Sequence, residues 1–317
     1  MLSRVADSIY WMHRYIERAE SYARFLTVNF NLALDLPPSM QEQWEPLLII
    51  TNDRDAYRLH YEKSDKAHVI DFMTFDSRNP NSILSSLNFA RENARTVREN
   101  ISVEMWEQVN KMYLMMKESS LGSDALREDP RGFYKEIING CQLFMGITAS
   151  TISRTDAWHF GRMGTFLERA DKTSRLLDVK YHILLPTAGE VGTPIDLIQW
   201  AALLKSVSAY SIYRKEYGPI TPGQVIEFLV LGRNFPRSIF FCVNTSLESL
   251  KEVSGVANGR KYNQAEKLLG AMRSKVEYRE ISEIIETGVH EYLDVIQVEI
   301  NQVSNAIFDT FISPSFH

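Results

Sequence analysis

Four carboxylates stand out for their surroundings: Glu17 and Glu20 in Tyr15-Ile16-Glu17-Arg18-Ala19-Glu20, and Glu168 and Asp171 in Phe166-Leu167-Glu168-Arg169-Ala170-Asp171. A carboxylate works as a general acid or base where enclosure and neighbouring charge tune its pKa. Arginines recur at helical spacing as Arg91, Arg95 and Arg98, and again as Arg233 and Arg237. Guanidinium forks of this kind hold a carboxylate or a phosphate bidentately. Taken together, the residues offer an enclosed polar pocket. Arg91, Arg95, Arg233 and Arg237 would grip an anion while Glu17, Glu20, Glu168 or Asp171 orients or deprotonates a reacting group. The same residues also have a purely structural reading, in which they are ion pairs that lock helices, since a buried charge must be paired.

The positioning elements are helices. Residues 3–34 contain no Gly or Pro, and their apolar positions fall at Ile9, Met12, Ile16, Ala19, Ala23, Leu26 and Phe30. That alternating three-and-four spacing is the seam of a long helix packed lengthwise on another helix. Trp11, Tyr15 and Tyr22 form a second apolar side, and His13, Glu17, Glu20 and Arg24 form a stripe beside the seam. A helix with two apolar faces is central, so the stripe is enclosed and must find partners. The favoured donors are Arg91 or Arg95 for Glu17 and Glu20, and Arg233 or Arg237 for Glu168 and Asp171.

The spacing recurs 151 residues later as Phe160, Met163, Leu167, Ala170, Ser174, Leu177 and Tyr181, with Arg175 matching Arg24. Trp44, Leu47, Leu48, Tyr57 and Arg58 align with Trp200, Leu203, Leu204, Tyr213 and Arg214 at an offset of 156. Ile83, Leu87, Arg91, Arg95 and Val97 align with Val225, Leu229, Arg233, Arg237 and Ile239 at an offset of 142. Three matches in one order point to an internal duplication of a unit of roughly 150 residues. The expected fold is all-α: one pseudo-twofold helical bundle over 1–317, with halves at about 1–153 and 154–317.

Helices are expected over 3–34, 41–62, 81–119 with a break near Ser102, 131–153, 156–184, 195–216, 222–253 with a break, 260–274 and 277–310. Breakers separate them at Pro37-Pro38, Asn79-Pro80, Gly122, Pro130, Pro186, Gly192, Pro194, Gly218-Pro219, Pro222 and Gly255. Pro236 should start a helix or kink one.

Other features read as structural. Asp53 and Asp55 are solvated loop charges, because the aligned stretch carries Ala209 and Ser211. His13 is a satisfied histidine, and His159 is no stronger a ligand. Glu-x-x-His is absent, which removes the carboxylate–histidine set of a di-iron bundle. Gly161-Arg162-Met163-Gly164 lies within a helix and is no phosphate loop. Cys141 and Cys242 have no neighbouring His, so each is a small core residue, and neither a disulfide framework nor a metal site is expected.

The motifs resemble those of the bacterial alpha-E domain family. The likeness rests on Met1-Leu2-Ser3-Arg4-Val5-Ala6, on Tyr10 through Glu20, on Arg91-Glu92-Asn93-Ala94-Arg95, on Leu167 through Asp171, and on Phe235-Pro236-Arg237-Ser238. It departs at His13, where the resemblance leads one to expect Gly. It implies an all-α protein working beside a circularly permuted ATP-grasp amide ligase and a transglutaminase-like peptidase that make or process a peptide-like compound. It also draws Arg14, Arg18, Glu92 and Arg169 into the motif set, and Arg14, Arg18 and Arg169 into the anion-binding one.

Composition narrows the class. Hydrophobic residues make up 44% and charged residues 24%, an ordinary globular balance. Only 15 Gly and 11 Pro favour helix over a turn-rich β fold. The net charge of −5 disfavours a nucleic-acid binder. The charged opening residues and the lack of a long apolar run predict a cytoplasmic protein with no membrane segment. Two functions remain: a non-catalytic helical partner of the ligase system, needing no cofactor, or an enzyme of that pathway acting on an anionic peptide or a phosphorylated intermediate.

Overall fold

A computed structural model describes residues 1–35, 44–122, 125–182, 193–255 and 261–313, and among them every regular element is a helix. The all-α expectation holds. In chain order the helices are α1 (Ser3–Asp35), α2 (Glu45–Ile50), α3 (Arg54–Arg58), α4 (Lys66–Thr74), α5 (Ile83–Thr96), α6 (Val103–Ser120), α7 (Ala125–Glu128) and α8 (Pro130–Thr151). There follow α9 (Asp156–His182), α10 (Pro194–Ser206), α11 (Tyr210–Glu216), α12 (Pro222–Leu231), α13 (Ile239–Ser254), α14 (Gln264–Glu277), α15 (Ile281–Thr287) and α16 (Val289–Ile307). A π-helical turn, Phe308–Ile312, ends the described chain. The breakers Pro37-Pro38, Pro186 and Gly192, and the side chain of Tyr181, lie outside the described residues.

Two long helices form the centre. In α1 the seam residues Ile9, Met12, Ile16, Ala19, Ala23 and Leu26 are all buried; on its second apolar side Tyr22 is buried, while Trp11 and Tyr15 are half-buried. The seam's partner is α9, whose Phe160, Met163, Leu167, Ala170 and Leu177 are buried in turn. Contacts climb both helices together, from Tyr10 against Gly164 to Arg18 against Glu168, so the two run parallel. Helices α5 and α8 flank α1, while α13 and α16 flank α9.

Small residues set the closeness of the central pair. A Cβ at Gly164 would collide with the Tyr10 carbonyl, and one at Gly161 would lie 2.6 Å from the His13 ring. Tyr10 and Gly161 are 151 residues apart, as are His13 and Gly164, so the two contacts are reciprocal.

The structure corrects several boundaries. Two helices expected to be continuous, 41–62 and 195–216, break at Asn52 (φ 60°) and Ser208 (φ 56°), the left-handed non-glycine residues. The C-terminal one breaks at Gly288 (φ 99°). Helix α4 went unanticipated. Pro236 neither starts nor kinks a helix; it lies in the loop before α13, whose N-cap is Ser238.

The 142-residue match is also out of register. Helix α5 begins after Ser82, which caps Ser85, and α13 begins after Ser238, which caps Phe241, an offset of 156. The 142 and 156 registers differ by 14 residues, or two heptads, and such a slip leaves an apolar seam in phase. In the 156 register Arg237 stands opposite Asn81 and Arg95 opposite Lys251.

Candidate functional site

The charged stripe of α1 meets that of α9 inside the bundle. Side-chain exposure is 0% for Glu168, 1% for Glu17, 2% for Glu20 and 8% for Asp171. Parallel packing sets Glu17 beside Arg169 and Arg18 beside Glu168. Arg169 forks onto Glu17, Nε to Oε1 at 2.9 Å and Nη2 to Oε2 at 2.7 Å. Arg18 forks onto Glu168, Nε to Oε1 at 2.7 Å and Nη2 to Oε2 at 3.1 Å. The chain contains two Glu-Arg dipeptides, Glu17-Arg18 and Glu168-Arg169. Each arginine grips the other's glutamate.

Further cations complete both sides. Arg237 donates to Glu17 and to Glu20, both at 2.7 Å. Arg24 donates to Glu20 and, through Nη1, to the Ser208 hydroxyl at 2.6 Å. Arg14 Nε reaches Glu168 at 2.8 Å, and Lys172 lies 3.5 Å from it. Asp171 accepts from Arg175 at 2.9 Å and from Lys172 at 3.0 Å. A polar chain leads outward from Arg18 to the Asn81 carbonyl (2.7 Å), and from the Asn81 amide to Asp53 (2.8 Å). Tyr22 closes it with a hydrogen bond to Asp53 at 2.5 Å. Asp53 is thus buried and bonded instead of solvated, because the left-handed Asn52 turns it inward.

The electrostatics favour the ionised state. Burial alone would raise the Glu17 carboxyl, but the charges and hydrogen bonds of Arg169 and Arg237 outweigh it and hold its pKa below the ordinary value. Glu168 lies well below, with Arg18, Lys172 and Arg14 overcoming burial. Asp171 is lowered by Lys172 and Arg175 against the same burial cost. Burial and then the like charge of Arg237 pull the Arg24 guanidinium down. Burial pushes the Cys242 thiol up to about 12 and Cys141 well above its usual value, so neither is a ready thiolate. Burial takes His13 down to about 4, and its ring packs on Phe144 at 5.1 Å as a neutral core histidine.

Of the residues singled out in the sequence, Glu17, Glu20, Glu168, Asp171, Arg14, Arg18, Arg169 and Arg237 come together. Arg91, Arg95 and Arg233 do not. Arg91 bonds Asn110 and Glu92, Arg95 pairs with Glu92, and Arg233 pairs with Glu277. The seam of α5 (Ile83, Leu87, Ala90, Ala94) is buried against α1, which turns Arg91 toward α6 and leaves Arg95 exposed. Sequence reasoning missed Lys172, Asn81, Asp53, Tyr22 and Ser208 as members of the network. A signal existed for Asn81, since the 156 register places it opposite Arg237.

Among the described residues, no helix is long and apolar enough to cross a membrane. No solved structure matches the chain. It is 22% identical over 331 residues to uncharacterized proteins of Mycobacterium bovis and of Mycobacterium tuberculosis strain CDC 1551 / Oshkosh, and 21% identical to a second M. tuberculosis protein, from strain H37Rv. Each alignment takes in 97% of this chain but only 36% of the relative's length. A family model described as a predicted alpha-helical domain with a conserved ER motif matches residues 1–312. With its two Glu-Arg dipeptides crossed at the centre of an all-helical bundle, the chain belongs to the Alpha-E family.

Proposed function

We propose that the chain is a non-catalytic helical module, built as two duplicated halves, that partners an ATP-grasp amide ligase and a transglutaminase-like protein in the cytoplasm. The observation that carries the non-catalytic reading is the state of the acids. Glu17, Glu168 and Asp171 are buried, matched by cations and held ionised below their ordinary pKa. A general acid or base needs a pKa near the working pH and reach to a substrate proton, and these carboxylates are tuned the opposite way. The mycobacterial relatives, in which the matching stretch is a minor part of a longer chain, fit a module that works beside other domains. The ligase context comes from the family resemblance. The test is reconstitution: this protein, a circularly permuted ATP-grasp ligase, ATP and candidate amino acids are combined, and complex formation and product are followed. A product that needs both proteins, and survives Glu17→Gln in a folded variant, supports the partner role. Loss of product in a folded Glu17→Gln protein that still binds the ligase would reverse it.

One observation favours a second reading, in which the network receives an anionic peptide or a phosphorylated intermediate. Arg14, Arg18, Arg24, Arg169, Lys172, Arg175 and Arg237 outnumber Glu17, Glu20, Glu168, Asp171 and Asp53. The side chains of these cations are 9–17% exposed, while Glu17, Glu20 and Glu168 are at most 2% exposed. An anion bound at the Arg24–Arg237 side would offset their like charge. In that case phosphate or an acidic peptide raises the melting temperature of the wild type and leaves that of Arg24→Met unchanged.

A further inference from the structure

In the first half of the chain a guanidinium has a built seat. Tyr57 and Tyr61 stack with centroids 4.8 Å apart, and Phe72 closes edge-on to both, at 5.1 and 5.9 Å. Arg78 lies over the Tyr61 ring, its Cζ 5.3 Å from the centroid. It donates to the Tyr61 hydroxyl at 3.0 Å and forks onto Asp76 at 2.7–2.9 Å. The Tyr61 hydroxyl also donates to Asp76 at 2.9 Å and faces Asp71 at 3.3 Å.

The same framework stands 156 residues later. Tyr213 and Tyr217 stack at 5.2 Å, and Phe228 closes edge-on at 5.7 and 5.8 Å. Tyr57 bonds the Lys63 carbonyl as Tyr213 bonds that of Pro219, again 156 residues on. Glu227 takes the place of Asp71. The places of Asp76 and Arg78, however, are taken by Gly232 and Asn234, which have no charge. Here the framework opens into a surface cleft of about 410 Å³, lined by Tyr217, Phe228, Phe235, Glu216, Glu227 and Glu277 among others. Phe235, stacked on Phe228 at 4.8 Å, adds a further aromatic wall. Arg233 also lines the cleft, where it pairs with Glu277 and lies over Phe240 at 5.1 Å. Among the described residues, Glu216 and Glu227 have no ion-pair partner, and the Tyr217 hydroxyl makes no hydrogen bond.

We propose that this cleft binds an arginine side chain presented by a partner polypeptide, its guanidinium seated over Tyr217 as Arg78 is seated over Tyr61, with Glu227, in the place of Asp71, supplying the carboxylate that Asp76 supplies to Arg78. The flat aromatic face and a carboxylate at its edge suit a planar fork, which stacks and bonds at once; an ammonium is a more strongly hydrated point charge. The exposed Asn234 side leaves room for the backbone that carries the arginine. None of the lining residues belongs to the crossed Glu-Arg network, so this inference and the partner reading above stand or fall separately.

The test is calorimetric titration of the whole protein with acetyl-Gly-Arg-Gly-amide, with its citrulline and lysine counterparts, and with agmatine. The arginine peptide should bind at least about tenfold more tightly than the citrulline one. Asn234→Arg should fill the seat from within and weaken peptide binding by a similar factor while keeping the wild-type melting temperature. Glu227→Gln, read in the same way, is the second variant. No binding by the wild type, equal binding of the citrulline peptide, or undiminished binding by Asn234→Arg would overturn the proposal. Agmatine or the lysine peptide binding as well as the arginine peptide would overturn its assignment to a polypeptide's arginine.

Discussion

Glu17 and Glu168 each accept both prongs of an arginine from the other central helix, and each takes a second cation as well. The desolvation cost of these charges is offset only while every partner stays in place. Glu17→Gln or Arg18→Met should therefore destabilise the protein by about 3–5 kcal/mol, seen as a clear fall in melting temperature. A double change, Arg169→Met with Glu17→Leu, should recover part of that loss, because apolar replacement of a whole buried pair is close to neutral and Arg237 keeps Glu20 as its partner. Equal and additive losses in Arg169→Met and Glu17→Leu taken singly, with no recovery in the double, would show that the residues do not act as a pair. The four carboxylates were legible in the sequence because a charge between two apolar helix faces has to be enclosed. Their donors were not, since helical spacing says which residues share a face and nothing about which face meets which. Arg91 and Arg95 have the right spacing and the wrong neighbour.

The central pair is set by its two glycines as much as by its seam. Gly161→Ala places a Cβ 2.6 Å from the His13 ring, and Gly164→Ala places one against the Tyr10 backbone. Overpacking of this kind costs about 1–3 kcal/mol. The two should respond differently to a second change. Truncating the ring with His13→Gly should restore Gly161→Ala, while no side-chain truncation should restore Gly164→Ala, where the obstacle is a carbonyl. Chemical denaturation of the four variants decides it; rescue of Gly164→Ala by His13→Gly would show that the clash is not local. The long seam helices were readable to within a residue or two, because three-and-four spacing persists over many turns. The short ones α2 to α4, α10 and α11 were merged or missed. Their corners are made by Asn52 and Ser208 in left-handed conformation, which composition does not announce at a serine.

Protons act on the bundle as a whole. His13 titrates near 6.5 when unfolded and about 4 when folded, so its neutral form is favoured by folding. Stability is full above pH 6.5 and falls as pH drops toward 4, by an amount on the order of 3 kcal/mol. Glu17, Glu168 and Asp171, with lowered folded pKa values, add stability that is present above their ordinary values near 4 and is lost further down. A melting-temperature profile should thus decline in two stages, and His13→Phe should flatten the upper stage alone. A profile level from pH 7 to 5 in the wild type would show that His13 is not held neutral by the core.

The central crossing also has a bearing on how the chain is made. The gripping residues are separated by 150 to 152 positions, so α1 leaves the ribosome well before its partner exists. At ordinary elongation rates that interval is roughly 8–30 s. Throughout it, an emerging helix with two apolar faces has nothing to cover it except α5, α8 and whatever chaperone is present. The charges of its stripe, still hydrated, keep it from associating with copies of itself on neighbouring ribosomes. Only when α9 arrives are they withdrawn from water, which makes completion of the second half the event that commits the first.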